Sequence, residues 1–520
     1  MASHLGQRLE AFQHGFRHNL ALIGPSGSGK TYQLQQMAAN APPGMQLIYC
    51  PVYRESCRSF LQRLANSIRR AHPDLPRTSQ AIEAAEGFLS RRSFSEAFNR
   101  MLDVVPVFVE ETGKPCVLVL DEFLHLEDLG LGHAFQELGK RVMTWPSTLF
   151  VLASSSPYRA RVILRERLQL LFGQFELLEL DAPDPVPAQP WISSHLAAIP
   201  EAAELTPFIA SWLGASPWYL TVVLTRVQEL AALSGGGDSG QKLLAEALWD
   251  VVGRQQGPLH QWCLARTSAL SHLRSGSRMM ECLIHIAEGA CTLTDIGSRV
   301  GRTSLSEILQ QLVEQDLLQR RGSCWFIQDS VLRCWLATVA ASQRSGLLVD
   351  DAVLRRRFEA FLTAVWSEWI EAEQVPFVDQ IVRLFGRFSD ETIVLDGKTG
   401  RLPRFSRVHA ETMDDQVGYL LAEGDGKSWC AAVVEKKIDE ATVGCFDAFC
   451  RMRKSKPARK VLIARRGVEP NALLLAKAVN MWVWENRELS VVMSLYGGML
   501  HAESHSSGAP VGALAQHLPR

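Results

Sequence analysis

No C-x-x-C pair occurs among the eleven cysteines, which are scattered from Cys50 to Cys450; Cys445 and Cys450, five apart, are the closest pair. An odd count without zinc-ligand spacing argues against a disulfide scaffold or zinc ribbon and fits a reducing compartment, so a cytoplasmic location is expected. Neither sign of charge is in excess, with 54 Lys and Arg against 55 Asp and Glu. That balance excludes a uniformly basic, histone-like binder and leaves open a basic patch on one domain. No charged n-region followed by an apolar stretch opens the chain, so no signal peptide is expected. Leu205–Thr225 is a charge-free run of 21 residues, long enough to span a bilayer. Ser211, Gly214, Ser216 and Pro217 interrupt it, and Arg226 and Glu229 continue it as an amphipathic pattern. Two buried helices joined at Gly214–Pro217, and no membrane span, are the expectation. There is no internal repeat.

What is present suits several globular cores. The chain has 520 residues, 47% of them hydrophobic, which suggests about three or four domains. From Leu20 to Leu180 short apolar runs alternate with longer amphipathic stretches; the runs are Leu20–Gly24, Gln46–Pro51, Cys116–Leu120, Thr148–Ala153 and Phe175–Leu180. This alternation predicts an α/β domain with a mostly parallel sheet over residues 1–182. Asp181–Pro190 is proline-rich and reads as a linker. Residues 191–272 read as helical, with a flexible loop at Ser234–Gly240. Residues 276–340 read as three helical stretches (Met279–Ala287, Thr294–Val300, Ser304–Leu318) and a hairpin from Arg320 to Gln328. A second α/β region covers 352–500, and a small, polar tail, 504–520, is expected to be disordered.

The clearest motif is Gly24-Pro25-Ser26-Gly27-Ser28-Gly29-Lys30-Thr31, which follows the apolar run at Leu20 and precedes a helical pattern. Glycines in a strand–loop–helix turn let backbone N–H groups converge on phosphate oxygens at a helix N-terminus. Lys30 would reach the β- and γ-phosphates, and the Thr31 hydroxyl would coordinate Mg²⁺. About 90 residues on, the buried run Cys116–Leu120 ends in Asp121 and Glu122. Asp121 would hold the Mg²⁺ through water, and Glu122 would activate the attacking water. Together these predict ATP binding. Ser154, Ser155 and Ser156 end the next strand; Ser155 is the choice for a γ-phosphate sensor, with a polar turn as the alternative. Arg159, Arg161, Arg165 and Arg167 follow, and none stands out as an arginine finger.

A second chemical motif is Val433-Val434-Glu435-Lys436-Lys437. A Glu-x-Lys at the end of an apolar strand, with an Asp on the strand before it, can hold one or two divalent cations and position a water on a phosphodiester. Asp396-Gly-Lys398 and Asp425-Gly-Lys427 share the spacing but contain the Asp-Gly turn dipeptide. Glu435 and Lys437 are therefore the candidates, with Asp415 preferred over Asp414 as the second carboxylate and Mg²⁺ or Mn²⁺ as the metal. Glu368 could add a ligand or be an exposed helix carboxylate. The expected order is helix Phe358–Ile370, strands Ile393–Leu395, Val417–Ala422 and Trp429–Val434, helix Ala441–Arg453 and strand Val461–Ala464. Arg451–Arg466 carries eight basic residues and no acid, read either as a phosphate-facing strip or as a solvated face.

The phosphate loop, Leu118–Phe123, Ser154–Ser156 and Gly214–Leu220 together resemble the archaeal-type ATPases, a STAND-related branch of AAA+ P-loop proteins. The resemblance extends over most of residues 15–497. It implies a P-loop NTPase sheet with a helical lid that sets Pro217 near the nucleotide base, a winged helix over 276–340, and a restriction-endonuclease-like PD-(D/E)xK domain at the C-terminus. Members often carry Gly-Arg before the last core strand, where this chain has Gly173-Gln174. The missing arginine bears on hydrolysis and leaves open its supply by a neighbouring subunit in a homo-oligomer. Basic residues do not outnumber acidic ones between 276 and 335, and the third helix of that segment carries Glu307, Glu314 and Asp316 without Lys or Arg. A docking or switching role for it is expected over sequence readout. The leading expectation is an ATP-hydrolysing regulator of a nuclease-like domain that acts on DNA. The alternative is a nucleotide-switched interaction or DNA-binding protein whose nuclease-like domain is inactive; a third, an ATP-dependent transcription regulator, needs the winged helix to read DNA.

Overall fold

The computed structural model describes residues 2–166, 175–180, 188–214, 216–235, 237–321, 324–344, 350–395, 398–414, 416–424, 427–453, 456–485, 488–489, 492–493 and 496. Arg167, Gly173-Gln174, Asp415, residues 181–187 of the expected linker and the tail 504–520 lie outside them. The chain divides into two compact units. The first is Met1–Pro183 with Ser216–Trp218 and Glu314–Asp316, and the second is the remainder.

In the first unit the five apolar runs form five strands: β1 (Asn19–Ile23), β2 (Gln46–Pro51), β3 (Cys116–Asp121), β4 (Thr148–Ser154) and β5 (Phe175–Glu179). All pairs are parallel, in the order β2-β3-β4-β1-β5. Every residue of β1, β3 and β4 is buried, as expected when helices cover both faces of a parallel sheet. On one face Leu20, Leu22, Val117, Val119 and Val151 meet Leu34 and Met37 of helix Lys30–Ala39. The other face, with Ile48, Leu118, Leu120 and Phe150, packs against four helices inserted between β2 and β3, which run from Cys57 to Thr112. Because β4 lies between β1 and β3, the C-terminal ends of three strands stand side by side. Those ends carry the phosphate loop, Asp121-Glu122 and Ser154–Ser156.

The second unit begins with helices Gln189–Leu196 and Ala202–Leu213. Gly214, at φ 65°, ends the latter. The next helix, Pro217–Ser234, starts with proline in its first turn, so the charge-free run breaks where its glycine and proline predict. Among the described residues no helix is long and apolar enough to cross a membrane. Helices Gly276–Ala287, Leu293–Val300 and Leu305–Glu314 follow, then a hairpin of β6 (Gln319–Arg321) and β7 (Cys324–Phe326). Thr292 caps the middle helix reciprocally with Asp295 and also bridges Cys324 of the hairpin. Gly301, at φ 88°, makes the turn into the third helix.

The C-terminal region departs from the expected order in two places. Phe358–Ile370 lies within a longer helix, Asp351–Gln374, whose Phe358, Leu362 and Trp369 are buried in the core of the preceding helices. The helix that covers the C-terminal sheet is instead Phe377–Gly386, through Phe377, Ile381, Leu384 and Phe385. Ile393–Leu395 does become a strand, β8 (Glu391–Leu395), but among the described residues it pairs only with β9 (Lys398–Leu402), in a separate hairpin. The main sheet consists of β10 (Arg407–Asp414), β11 (Val417–Gly424), β12 (Lys427–Val434), β13 (Arg459–Ala464) and β14 (Met481–Trp484), in that order. β10 to β12 form an antiparallel meander; after helix Glu440–Arg451, β13 and β14 add in parallel. All eleven cysteines are free thiols.

Candidate functional site

β1 runs into the glycine-rich loop, and the backbone there strongly favours glycine at two positions. Gly27 and Gly29 take φ values of 78° and 85°, a region that L side chains avoid. Gly24 is needed for a different reason: a Cβ on it would lie 2.5 Å from the Leu180 carbonyl oxygen. Lys30 Nζ is buried inside the loop and donates to the carbonyl oxygens of Gly24 (2.9 Å) and Pro25 (2.8 Å) and to Ser28 Oγ (3.2 Å). Its charge is thus held at the centre of the turn by backbone acceptors.

Thr31 and Asp121, 90 residues apart in sequence, touch. Thr31 Oγ1 donates to Asp121 Oδ2 at 2.9 Å. The Tyr49 phenol donates to the same oxygen at 2.8 Å. Asp121 is buried, and its other oxygen, Oδ1, has no hydrogen-bond partner among the described residues. A hydroxyl and a carboxylate in contact, with one carboxylate oxygen left over, are the hard-oxygen set a hydrated Mg²⁺ takes. The residues therefore fit the cation that accompanies a nucleotide. Burial, and then the charge of Asp121, raise the Tyr49 phenol well above its ordinary value, so it stays a donor at neutral pH.

Glu122 follows with φ 57°, in the left-handed region. Its carboxylate accepts from the Ser155 backbone N–H at 2.9 Å and, through a short contact, from the Ser155 hydroxyl. Ser155 thus holds Glu122. Ser154 sits on the loop side, where its carbonyl accepts from Gly24 N–H at 3.3 Å, and its hydroxyl accepts from Ser156 N–H at 3.1 Å. The segment Ser216–Trp218 belongs to the same unit. A Cβ on Gly27 would lie 2.7 Å from Ser216 Oγ, so Pro217 is next to a residue that touches the loop. Arg159 pairs with Glu127 and Arg161 with Glu179, consistent with surface pairing for both.

In the second unit Glu435 directly follows β12. Its backbone N–H donates to the carbonyl of Gln416, the residue preceding β11, at 2.9 Å. The sheet therefore brings Gln416, two residues after Asp414 at the end of β10, beside Glu435. The Glu435 carboxylate is half-buried and faces Arg465 Nη1 at 3.4 Å, while Lys437 is exposed and 3.9 Å from Glu469. Arg465 also lies over the Phe377 ring, 5.0 Å from its centroid. Part of the basic stretch is engaged in ion pairs: Arg451 and Lys460 pair with Asp447, and Arg453 pairs with Glu411. Glu368 is exposed on the long helix, whose buried side chains pack with the preceding helices. Among the described residues no cluster of three or more His, Cys, Asp or Glu is placed to hold a metal by itself.

Sequence reasoning missed Tyr49, which lies inside an apolar strand pattern; its only signal was a hydroxyl two residues before a strand end. It also assigned Ser155 to phosphate without anticipating its grip on Glu122.

Residues 16–155 match the family model described as AAA domain. No curated protein matches the chain. Among solved structures, the chain is similar to a Walker-type ATPase of Pyrococcus abyssi, with 15% identity and TM-score 0.46, covering 64% of this chain and 94% of that one. The ORC2 protein of Aeropyrum pernix, in ADPNP–ADP complexes, shows 15% identity and TM-score 0.44 over 69% of this chain and 93% of its own. The RuvB Holliday junction branch migration motor of Thermotoga maritima shows 15% identity and TM-score 0.33 over 67% and 94%. Residues 16–155 thus resemble an AAA domain, and the parallel five-stranded sheet with the glycine-rich loop at its C-terminal edge fits the P-loop NTPase fold.

Proposed function

We propose that this chain binds and hydrolyses ATP in its AAA domain and uses that cycle to regulate a C-terminal nuclease-like domain acting on DNA. The observation that carries the first half is the convergence of Lys30, Thr31, Asp121 and Glu122 at the ends of neighbouring strands. Loop N–H groups and Lys30 would hold the phosphates, and Pro217, beside Ser216, would border the base. Thr31 and Asp121 would hold Mg²⁺, which when bound supplies charge neutralisation at the phosphates. Glu122 would orient the attacking water; each of its oxygens accepts one bond from Ser155 and keeps a lone pair for that water. Ser155 would thus orient the base.

The second half is supported by topology. Helix Phe377–Gly386, the β10–β12 meander, helix Glu440–Arg451 and parallel β13 follow the order a PD-(D/E)xK core requires, with Glu435 and Lys437 just past the end of β12. Asp415 or Asp414, Glu435 and a divalent cation would form its site. Residues 276–340, three helices and a hairpin, are read as a winged helix that docks or switches. Arg278 donates to the Gly301 carbonyl at 2.9 Å and Arg299 faces Glu288 at 3.8 Å, so two of its cations serve the domain itself. A second reading, a nucleotide-switched binding protein with an inactive nuclease-like site, is favoured by the ion pairs that engage Glu435 and Lys437.

ATP affinity and phosphate release, measured on wild type, Lys30→Ala and Glu122→Gln, test the nucleotide half. Lys30→Ala should weaken binding by at least about tenfold, the loss of a charge-assisted contact. Glu122→Gln should bind ATP nearly as well as wild type and turn over about 100-fold more slowly. Equal turnover in wild type and Glu122→Gln would remove Glu122 as the base.

A further inference from the structure

We infer that Tyr49 is a positioning residue for magnesium: its phenol, reaching across from the neighbouring strand, fixes the Asp121 carboxylate in the orientation that receives the cation. The inference rests on the nucleotide-site reading above and deepens it.

The strand register shows how Tyr49 comes to do this. β2 and β3 are parallel, and Tyr49 pairs with Val119, two residues before Asp121. Alternation along a strand puts residues 117, 119 and 121 on one face, and Tyr49 packs on that same face with Leu20, Leu22, Val117 and Val119. A serine or threonine at position 49 would end beside Val119. Tyrosine is long enough to continue along the strand direction to Asp121, and its hydroxyl arrives at 2.8 Å from Oδ2.

A buried carboxylate needs donors to hold its charge. Among the described residues Asp121 has two, Thr31 and Tyr49, and both use Oδ2. Oδ1 is left buried without a partner. Thr31 belongs to the cation's own ligand set: its oxygen would coordinate magnesium through a lone pair while its O–H still donates to Asp121. Tyr49 is the donor that stands outside that set. It fixes the rotation of the carboxylate about its last bond and leaves Oδ1 for the hydrated metal. Such outer partners of metal ligands typically govern affinity about 10–100-fold.

Tyr49→Phe removes the hydroxyl and keeps the ring. A fluorescent ATP analogue is titrated into full-length wild type and variant, in EDTA and at fixed nucleotide over a range of magnesium concentrations. The magnesium midpoint for nucleotide binding should rise about tenfold in Tyr49→Phe, with affinity in EDTA within twofold of wild type. An unchanged midpoint would overturn the inference. An equal loss of affinity with and without magnesium would overturn it too, because that is what a purely structural ring would produce. If wild type itself failed to bind the analogue, the nucleotide-site reading would fall first, and the Tyr49 comparison would not be the cause.

Discussion

Gly24 shows how one residue type serves two purposes in one motif. At Gly27 and Gly29 the backbone itself demands glycine, because φ is positive. At Gly24 φ is not in the left-handed region, and the demand comes from the residue that follows β5: an added methyl would meet Leu180 O at 2.5 Å and Leu180 Cβ at 2.8 Å. The contacts are to backbone and to a Cβ, so neither can swing away. Gly24→Ala should therefore destabilise the first unit by about 1–3 kcal/mol, the usual cost of overpacking, read as a lower denaturant midpoint for the full chain. An unchanged midpoint would show that β5 can shift outward freely. The glycine pattern was legible in the sequence because loop geometry restricts residue type within a few positions. Tyr49 was not legible, since its partner lies 72 residues away and its strand reads as ordinary core. Residue roles that depend on register across strands stay hidden until the strand order is known.

At the level of elements, the five apolar runs of the first unit all became strands, because a sheet covered on both faces needs continuous apolar segments. The C-terminal sheet was read less well, and its first strand shows why. β10 alternates exposed Arg407, His409 and Glu411 with half-buried Val408 and Ala410. An edge strand half open to water carries no apolar run, so the shorter run at Ile393–Leu395 drew the assignment. The long helix Asp351–Gln374 was placed in the wrong core for a related reason: an apolar stripe shows that a helix is buried but not against what. Helix Glu440–Arg451 is held to β13 by Asp447, which is buried and pairs with Lys460 and Arg451. The hydrogen bond from Lys460, and then the nearby charges, hold the Asp447 carboxyl below its ordinary value. A depressed acid contributes stability above its unfolded value of about 3.9 and loses it as pH falls through the folded value. Asp447→Asn should therefore lower the urea midpoint near pH 7, and the gap to wild type should close as pH falls below about 4. A gap independent of pH would mean that the carboxylate charge contributes nothing to holding the helix.

For the whole molecule the question is whether two separately built sites act in sequence. In the proposed reading the loop glycines, Lys30 and Asp121 would make the nucleotide site, and Glu435 beside Gln416 would belong to the other. In the second site Arg465 already compensates Glu435 at 3.4 Å. A divalent cation there would compete with that guanidinium for the carboxylate, which would weaken binding of the metal. Cleavage of plasmid and linear DNA with Mg²⁺ or Mn²⁺, with and without ATP, therefore separates the two readings. If the chain is a regulated nuclease, Glu435→Ala and Lys437→Ala should each reduce cleavage about 100-fold or more, and Lys30→Ala should abolish its ATP dependence while leaving the metal requirement intact. Arg465→Ala should then lower the metal concentration needed, since it removes the competing cation. Absence of cleavage under every condition, with ATP still bound, would instead assign Arg465 as the permanent partner of Glu435 and make the domain a binding module switched by nucleotide.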